Sequence, residues 1–223
     1  MYDVIFISYQ EPNADKNFDL LLKKAPWATR VDGVKGIHQA HIKAASQSFT
    51  PMVWIVDGDA ELVDDFNFEY IPPRSDRDAV YVWRSKNPLN DLEYGYGGVK
   101  LFPRQLTINM DVNSSDMTTS ISSKFYAMEQ ISNITAFNTD PFNTWRSAFR
   151  ECTKLSSKII DRQKENETNE RLETWTTMGH DREFGEYAIR GARAGMQFGL
   201  SSSNDIQLIN DFDWLKEQFD GNT

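Results

Sequence analysis

The first ninety residues alternate between short apolar runs of strand length and longer amphipathic runs of helical length. Strands rich in β-branched and aromatic residues are predicted at 2–9, 51–56 and 78–85. Helices are predicted between them at 13–25 and 36–49, where apolar residues recur with helical spacing. This strand–helix–strand order predicts an α/β fold with a mostly parallel, Rossmann-like central sheet flanked by helices and joined by right-handed crossovers.

The second half of the chain has a different pattern, with fewer strands and more helix. The elements predicted there are a mixture of loop and strand at 90–104, a strand at 132–138, helices at 140–160 and 181–199, and a short helix at 211–219. The polar stretch 161–174 is typical of an exposed helix end or a flexible loop. No repeat and no clear linker divides the chain, so a single domain over 1–223 is predicted.

Composition and charge exclude several classes of protein. The 223 residues are 39% hydrophobic and 13% aromatic, which is enough apolar material for a folded core. The net charge of -9 argues against broad nonspecific binding to nucleic acid, which needs a Lys/Arg surface. The lone Cys152 excludes an intramolecular disulfide and a cysteine-based zinc site. No signal peptide and no apolar run of about 20 residues is seen, so a cytoplasmic protein without a membrane span is expected.

The stretch 52–62, MVWIVDGDAEL, leads a buried strand directly into Asp57, Gly58 and Asp59. Ligands of open α/β sheets bind beyond the carboxyl ends of the strands. Two adjacent carboxylates repel each other unless a proton or cation lies between them, and a hard divalent cation with oxygen ligands meets that need. The alternative is an ordinary surface turn, because Asp-Gly is a common turn pair.

The whole block 31–62, VDGVKGIHQAHIKAASQSFTPMVWIVDGDAEL, resembles the nucleotide-sugar glycosyltransferases of the GT-A fold, which carry an Asp-x-Asp motif at the end of an apolar strand. The resemblance extends in element order over residues 2–200. It implies that Asp57 and Asp59 hold Mn²⁺ or Mg²⁺, which bridges the two donor phosphates and stabilises the departing nucleoside diphosphate. It also implies a nucleotide-sugar-binding half at 1–104 and an acceptor half at 105–223.

The resemblance assigns donor contacts to residues around the first three strand ends. Tyr9 is placed to stack on the base, although ordinary packing at a strand end explains it equally well. Glu11 or Asp32 is placed to accept hydrogen bonds from the base or ribose. Lys35 precedes the second helix, where the diphosphate approaches, and Gly58 leaves room for a ligand.

A glycine-aromatic segment follows the third predicted strand, with Tyr94, Gly95, Tyr96, Gly97 and Gly98 in succession. Glycines permit unusual backbone angles and close approach by a ligand, and tyrosines offer stacking faces with hydroxyl groups. In the family this position in the chain helps to hold the sugar and the acceptor, which implies that role for Tyr96, Gly97 and Gly98. A β-bulge or hairpin turn is the alternative interpretation.

Asp140 stands at the start of the predicted helix 140–160, where a carboxylate is a common N-cap. In inverting members of the family, a carboxylate in this region removes the proton from the acceptor hydroxyl, which implies Asp140 as general base. Glu129 and Glu93 are weaker candidates. Thr139 stands where the family usually has another acidic residue, and a retaining enzyme would not need this base.

The three histidines have different predicted roles. His180 is the one histidine in the C-terminal half, and the resemblance implies that it is a third metal ligand, since a neutral imidazole suits Mn²⁺. A loop or capping histidine is the alternative, with Asp181 as another ligand or cap. His38 and His41 are expected on the polar face of the helix at 36–49 rather than at a metal.

The sequence therefore predicts a metal-dependent glycosyltransferase, hexosyl or pentosyl, that moves a sugar from a nucleoside-diphosphate donor to a hydroxyl. Many Asn, Asp and Ser residues are reminiscent of phage proteins, so hydroxymethylated cytosine in DNA is one expected acceptor, with a protein in the host cytoplasm. A surface glycan or small molecule is the competing acceptor. The basic groove expected for DNA comprises Arg74, Arg77, Arg84, Lys86, Lys100 and Arg104.

Two other functional classes remain as alternatives. A nucleotidyltransferase also uses paired aspartates and metal on an α/β sheet. It is disfavoured because the segment after the first strand, SYQEPNADKNF, has no glycine for a phosphate loop. A binding module without catalytic activity is the third alternative.

Overall fold

The computed structural model describes residues 1–95, 97–114, 117–159, 164–201, 203 and 205–221. Contacts divide the chain into two compact units. The sheet unit comprises Met1–Asn87 and Glu93–Ala136, and the helical unit comprises Pro88–Leu92 and Phe137–Thr223. The single domain with a donor-binding half ending at residue 104 stays a prediction.

The sheet unit contains all the strands of the described chain and four helices. The strands are β1 (Asp3–Ser8), β2 (Thr29–Asp32), β3 (Met52–Asp57), β4 (Ala60–Leu62), β5 (Val80–Lys86), β6 (Glu93–Tyr94), β7 (Val99–Pro103) and β8 (Phe125–Thr135). The helices are α1 (Ala14–Lys24), α2 (Ile37–Gln47), α3 (Arg104–Ile108) and α4 (Met117–Ile121). Throughout the described ranges, no helix is long and apolar enough to cross a membrane.

The strands form one eight-stranded sheet in the order β2-β1-β3-β7-β5-β8-β4, with β6 paired to β5. β1 runs parallel to both β2 and β3, as the alternating strands and helices predict. β7 lies antiparallel between β3 and β5, and β4 runs antiparallel to β8. The α/β fold is confirmed, but the sheet is mixed rather than mostly parallel. The reason is that the chain returns from β5 to β7 without a crossover helix, and such strands run antiparallel.

Two apolar layers cover the two faces of this sheet, because successive side chains of a strand point to opposite sides. In β3, Trp54 faces a cluster that includes Phe66, Phe68 and Leu21 of α1. Its neighbour Ile55 belongs to the cluster that includes the buried alanines of α2. The helices α1 and α2 therefore cover opposite faces of the sheet, and the carboxyl end of β3 emerges between them.

The helical unit contains α5 (Pro141–Ser157), α6 (Glu165–Thr177), α7 (Gly185–Leu200) and α8 (Phe212–Gly221). Helices α5 and α7 approach closely because Gly191 and Gly195 of α7 lie against the backbone of α5. A Cβ at Gly191 would lie 2.3 Å from the Trp145 carbonyl oxygen, and one at Gly195 would lie 2.1 Å from that of Phe149. Any side chain at either glycine would force the two helices apart.

The segment 161–174 differs from its prediction as an exposed helix end or flexible loop. Residues 165–174 belong to α6, a separate helix, while 161–163 lie outside the described residues. The helix has few apolar residues, but Trp175 near its end is completely buried. The Trp175 ring anchors a helix that is otherwise mostly polar. A helix with so few apolar residues gives only a weak amphipathic pattern in the sequence.

Candidate functional site

The carboxyl ends of β1, β2 and β3 meet at one edge of the sheet. Ser8 is paired with Asp32, and Ile7 with Asp57, in the parallel registers of these strands. The antiparallel β7 starts at the same edge, where the Gly98 carbonyl accepts a 2.9 Å hydrogen bond from the Asp57 N–H. The structure therefore brings together, at one edge, polar residues that the sequence predicts for donor and metal binding.

The turn Asp57–Gly58–Asp59 is held through its backbone carbonyls. Asn17 of α1, 1% exposed, donates from its amide to the Gly58 oxygen at 2.9 Å. The Asp59 oxygen accepts from the Ala136 N–H at 2.7 Å, and the Ala136 oxygen in turn accepts from the Asn13 amide at 2.8 Å. Asn17 thus holds the backbone of the turn directly, and Asn13 supports it through Ala136.

Gly58 is required by close contact with Glu11. A Cβ at position 58 would lie 2.7 Å from Glu11 Oε2 and 3.2 Å from the Ile7 carbonyl oxygen. The same Glu11 oxygen accepts a 2.5 Å hydrogen bond from the Tyr9 N–H. Glu11 therefore braces the end of β1 against the acidic turn, while the donor contacts expected of Glu11 and Tyr9 stay predictions.

Asp57 forms a short ion pair with Lys100. The Lys100 Nζ lies 2.6 Å from Asp57 Oδ1, with the lysine side chain 3% exposed and the aspartate side chain 24% exposed. Lys100 is the cross-strand partner of Ile55, so both side chains lie on the same face, and Asp57 follows two residues later on that face. The prediction that Lys100 contributes to a surface groove is wrong, because its side chain is buried against the sheet.

Asp32 presents an ionised carboxylate at the end of β2. Its Oδ1 accepts from the Ser8 hydroxyl at 2.5 Å and from Arg30 at 3.3 Å. The Ser8 hydrogen bond, followed by the charge of Arg30, lowers the pKa of Asp32 against the opposing effect of burial. The carboxylate is exposed and ionised at neutral pH, so it can accept hydrogen bonds from a ligand. Lys35 is also exposed, in the loop that leads from β2 to α2.

His38 and His41 do not form the polar helix face that the sequence predicts. Both are buried on the side of α2 that faces the sheet. His41 donates from Nδ1 to the Ile37 carbonyl at 2.8 Å, and its ring lies against Phe102. Burial, with the positive charge of Lys100 as the second cause, holds the pKa of His41 well below its usual value. His41 is therefore neutral at physiological pH.

Gly97 and Gly98 form the approach to β7, and Tyr96 lies outside the described residues. Gly97 has φ of 79°, a left-handed conformation that favours glycine. A Cβ at Gly98 would lie 2.6 Å from the buried amide of Asn133 on β8. The backbone conformation of Gly97 and the close packing of Gly98 therefore explain both glycines as parts of the turn before β7. Their contact with the sugar or acceptor stays a prediction.

Asp140 caps the first turn of α5. Its carboxylate accepts from the Asn143 N–H at 2.8 Å and from the Asn143 amide at 2.6 Å. The capping role predicted as an alternative is therefore confirmed. A general-base role for Asp140 is compatible with a cap but stays a prediction.

His180 lies in an exposed position of the helical unit, after Gly179 and before α7. Gly179 has φ of 93°, and a Cβ there would lie 2.5 Å from the Leu89 carbonyl oxygen. This tight contact explains the glycine before His180 without reference to a metal. Metal binding by His180 stays a prediction.

A divalent cation fits the acidic turn on chemical grounds. Across the described ranges, no group of three or more His, Cys, Asp and Glu side chains is gathered as a preformed metal cage. Mg²⁺ in proteins is often held by only one or two carboxylates together with substrate phosphates. Asp57 and Asp59, half-buried at a sheet edge, match this smaller set of ligands. A cation here would need oxygen ligands from the substrate.

The basic residues predicted to line one groove lie in different parts of the sheet unit. Arg104 follows β7, at the edge opposite the acidic turn, where its Nε donates to the Ser48 carbonyl at 2.7 Å. Arg74 belongs to a short turn before β5, whereas Arg84 and Lys86 lie towards the other end of that strand. With Lys100 buried, these residues do not form one continuous basic surface.

Lys100, Asn13 and Asn17 were not identified from the sequence as residues that support the acidic turn, although two sequence patterns indicated them. Lys100 is a single charge within the otherwise apolar run VKLF, a pattern that indicates a buried, paired lysine. Asn13 and Asn17 are four residues apart and therefore share one face of α1. Their partners could not be found from the sequence, because Gly58 and Ala136 are 41 and 123 residues away.

Comparison with solved structures finds several chains with partial similarity, two of which are glycosyltransferases. No protein-family model and no curated protein matches the chain. One structure is a glycosyltransferase involved in the glycosylation of the major capsid of PBCV-1, with 11% identity and a TM-score of 0.37, covering 57% of this chain and 82% of that chain. The other is the mannosyltransferase PcManGT from Pyrobaculum calidifontis in complex with GDP-Man and Mn²⁺, with 11% identity and a TM-score of 0.43, covering 92% of this chain and 76% of that chain. Both of these proteins are glycosyltransferases.

Proposed function

We propose that this protein transfers a sugar from a nucleoside-diphosphate donor to an acceptor hydroxyl, with the help of Mn²⁺ or Mg²⁺. The observation that carries this proposal is the acidic turn Asp57–Gly58–Asp59, held by hydrogen bonds to its backbone at the sheet edge where the carboxyl ends of three strands meet. Open α/β sheets bind their ligands at such an edge.

Asp57 and Asp59 are the residues that would hold the cation. When bound, the cation supplies positive charge that neutralises the diphosphate as it leaves the sugar. Asn17 and the Ala136 N–H hold the backbone carbonyls of the turn, so the main chain that carries both carboxylates is ordered before the donor arrives. Preorganised charge of this kind needs no rearrangement during the reaction.

The nucleoside is proposed to bind along the ends of β1 and β2. Asp32 is ionised and exposed, so it accepts hydrogen bonds from ribose hydroxyls or from the base. Tyr9, half-buried at the end of β1, offers its ring to the base. Lys35 adds a positive charge for the diphosphate in the loop before α2. Gly58 is not expected to contact the donor, because it is buried and the space beside its Cα is filled by Glu11 and Ile7.

Two residues of the helical unit complete the proposal. Asp140 would remove the proton from the acceptor hydroxyl in an inverting reaction. His180 would serve as a third ligand of the cation. Both roles are supported by chain order in the resembled family, and the exposed position of His180 leaves its ring accessible to a ligand.

A binding panel tests the donor class. Thermal stability is measured with Mn²⁺ alone and with Mn²⁺ plus nucleoside mono-, di- and triphosphates, because a ligand that binds the native state raises the melting temperature. Preference for diphosphates is expected. Preference for triphosphates would instead support a nucleotidyltransferase, and no response to any nucleotide would support a binding module of another kind.

The acceptor is tested by mass spectrometry after incubation with mixed sugar nucleotides. The panel contains DNA with hydroxymethylated cytosine, a surface oligosaccharide and small-molecule alcohols. The scattered arrangement of basic residues favours a glycan or small molecule over DNA, since duplex binding needs a continuous Lys/Arg surface. A mass increase of one sugar on the DNA would overturn that preference.

A further inference from the structure

The ion pair between Lys100 and Asp57 places a lysine ammonium at a proposed metal ligand. Lys100 projects from the middle of β7, where Val99, Leu101 and Phe102 are all buried. Its ammonium lies 2.6 Å from Asp57 Oδ1 and is almost completely shielded from water. A buried ammonium is costly without a partner, so this pair is retained in the folded protein.

The surroundings of the ammonium offer no second negative charge from α2. The sequence of α2 contains no Asp or Glu, and its His41 is neutral because burial, followed by the charge of Lys100, lowers the pKa of His41 well below its usual value. On the other side lies Gly97, where a Cβ would be 4.0 Å from the Lys100 Nζ. Gly97 therefore lies beside the ammonium at the start of β7, on the side of the acidic turn.

This arrangement has a consequence for cation binding at Asp57. One carboxylate oxygen already accepts from a unit positive charge, so an incoming divalent ion meets both a weakened ligand and a nearby like charge. Asp59 alone is a poor site for a hard cation, which needs several oxygen ligands. Additional negative charge must therefore arrive with the cation.

We propose that Lys100 is a positioning residue that makes cation binding depend on the donor diphosphate. Without nucleotide, Lys100 competes with the cation for Asp57, and the cation binds weakly. The phosphate oxygens of the donor compensate both positive charges, so the cation and the diphosphate bind together. The inference rests on the proposed function, and it defines Lys100 as the residue that couples the two ligands.

The test compares wild type with Lys100→Met, which keeps most of the side-chain volume and removes the charge. Mn²⁺ affinity is measured by electron paramagnetic resonance, without nucleotide and with saturating nucleoside diphosphate, after correction for Mn²⁺–nucleotide in solution. The variant should bind Mn²⁺ alone about tenfold more tightly, because a like charge is removed close to the ion. The nucleotide should then strengthen Mn²⁺ binding less in the variant, since coupling between two ligands is reciprocal.

Lys124→Met is the matched control, since the Lys124 ammonium pairs with Asp78 at 2.9 Å on an exposed surface of the same unit. This variant should leave both Mn²⁺ affinities unchanged. If Lys100→Met does not fold, Lys100→Gln removes the charge while keeping a hydrogen-bond donor, and the same tightening is expected.

Equal or weaker binding of Mn²⁺ alone by a folded Lys100 variant would overturn the proposal. So would a wild-type protein whose Mn²⁺ affinity is the same with and without nucleotide. Tighter Mn²⁺ binding by the variant, with no nucleotide binding by either protein, would support the role of Lys100 and overturn the donor class. Absence of Mn²⁺ binding by both proteins would overturn the coupling and the metal role together.

Discussion

The paired strands β1 and β3 each carry one aspartate, Asp3 at the amino edge of the sheet and Asp57 at the carboxyl edge. The two aspartates have different partners. Asp3 opens β1 beside Val53 at the amino edge, and Asp57 closes β3 beside Ile7 at the carboxyl edge. The Oδ2 of Asp3 accepts from the Phe49 N–H at 2.6 Å, the Thr50 N–H at 3.1 Å and the Ser48 hydroxyl at 2.9 Å. Asp57 instead binds a buried ammonium from β7.

The difference separates a structural carboxylate from one suited to a ligand. Asp3 is neutralised by dipoles of the loop that leads into β3, so its charge holds that loop and needs no outside partner. Asp57 is neutralised by one buried ammonium, that of Lys100, whose charge opposes an incoming cation. The amino edge of the sheet is therefore expected to affect stability alone, whereas the carboxyl edge is expected to affect both stability and ligand binding.

Asp57→Asn should have the largest effect on stability, because it leaves the Lys100 ammonium buried without its charged partner. Removing one partner of a buried ion pair costs about 3–5 kcal/mol of unfolding free energy. Urea denaturation measures the loss. The double variant Asp57→Asn with Lys100→Met should recover most of it, and equal stability of the wild type and Asp57→Asn would contradict the importance of the pair.

Asp59→Asn should remove donor hydrolysis while the protein stays folded, since the substitution retains the Asp59 backbone oxygen that accepts from the Ala136 N–H. Loss of a carboxylate ligand of the cation should lower the rate of sugar-nucleotide hydrolysis by at least about a hundredfold. Circular dichroism and a coupled diphosphate-release assay measure the two properties. Turnover near the wild-type rate in this variant would remove the metal role of the turn.

Asp3→Asn should destabilise the fold by about 1.5–3 kcal/mol, the usual range for hydrogen bonds to a charged group. The neutral amide keeps one acceptor oxygen but loses the charge that receives three donors of the 48–50 loop. Nucleotide and Mn²⁺ affinities should not change, because Asp3 lies at the opposite edge of the sheet. A loss of nucleotide affinity without loss of stability would reverse the assignment of the two edges.

Asn17→Ala should act on both properties, more weakly. The amide of Asn17 donates to the Gly58 carbonyl, and loss of a single neutral hydrogen bond costs about 1 kcal/mol. The loosened turn should also raise the Mn²⁺ concentration needed for half-maximal donor hydrolysis. Lys16→Ala on the same helix is the control. It removes an exposed ion pair with Glu61 of β4 and should change neither property.

The smallest expected effect is a pH dependence that comes from Asp3. Burial alone would raise the pKa of Asp3, but the hydrogen bonds from Phe49, Ser48 and Thr50 outweigh it and lower the pKa below its usual value. The stability that the carboxylate contributes is therefore complete above about pH 4 and is lost as the pH falls through the folded-state pKa. Melting temperatures between about pH 5 and pH 3 should fall more steeply for wild type than for Asp3→Asn.

The local pattern of apolar and polar residues was sufficient to predict the strands and helices near the acidic turn. Apolar runs of strand length and the intervening helical periodicity predicted β1, α1, α2, β3 and β5 close to their observed bounds. β4 and most of β8 were missed, because β4 has three residues and the first half of β8 is largely exposed. The sheet was expected to be mostly parallel because β7 could not be recognised as an antiparallel insertion from the sequence.

The candidate site was predicted in part. The strand ends were correctly expected to gather Tyr9, Asp32 and the acidic turn, since parallel strands place their carboxyl ends at one edge. The histidines of α2 were misplaced because alanine and isoleucine occur on more than one side of that helix, so periodicity did not define its buried face.

The sequence by itself determined the buried strand that delivers Asp57 and Asp59 to a sheet edge, because alternation and apolar runs are local properties of the chain. Only the tertiary structure decided which groups surround those carboxylates. Lys100 reaches Asp57 across 43 positions, and Asn17 reaches Gly58 across 41. Such pairs depend on strand order and register, which follow from packing of the whole sheet rather than from any short segment.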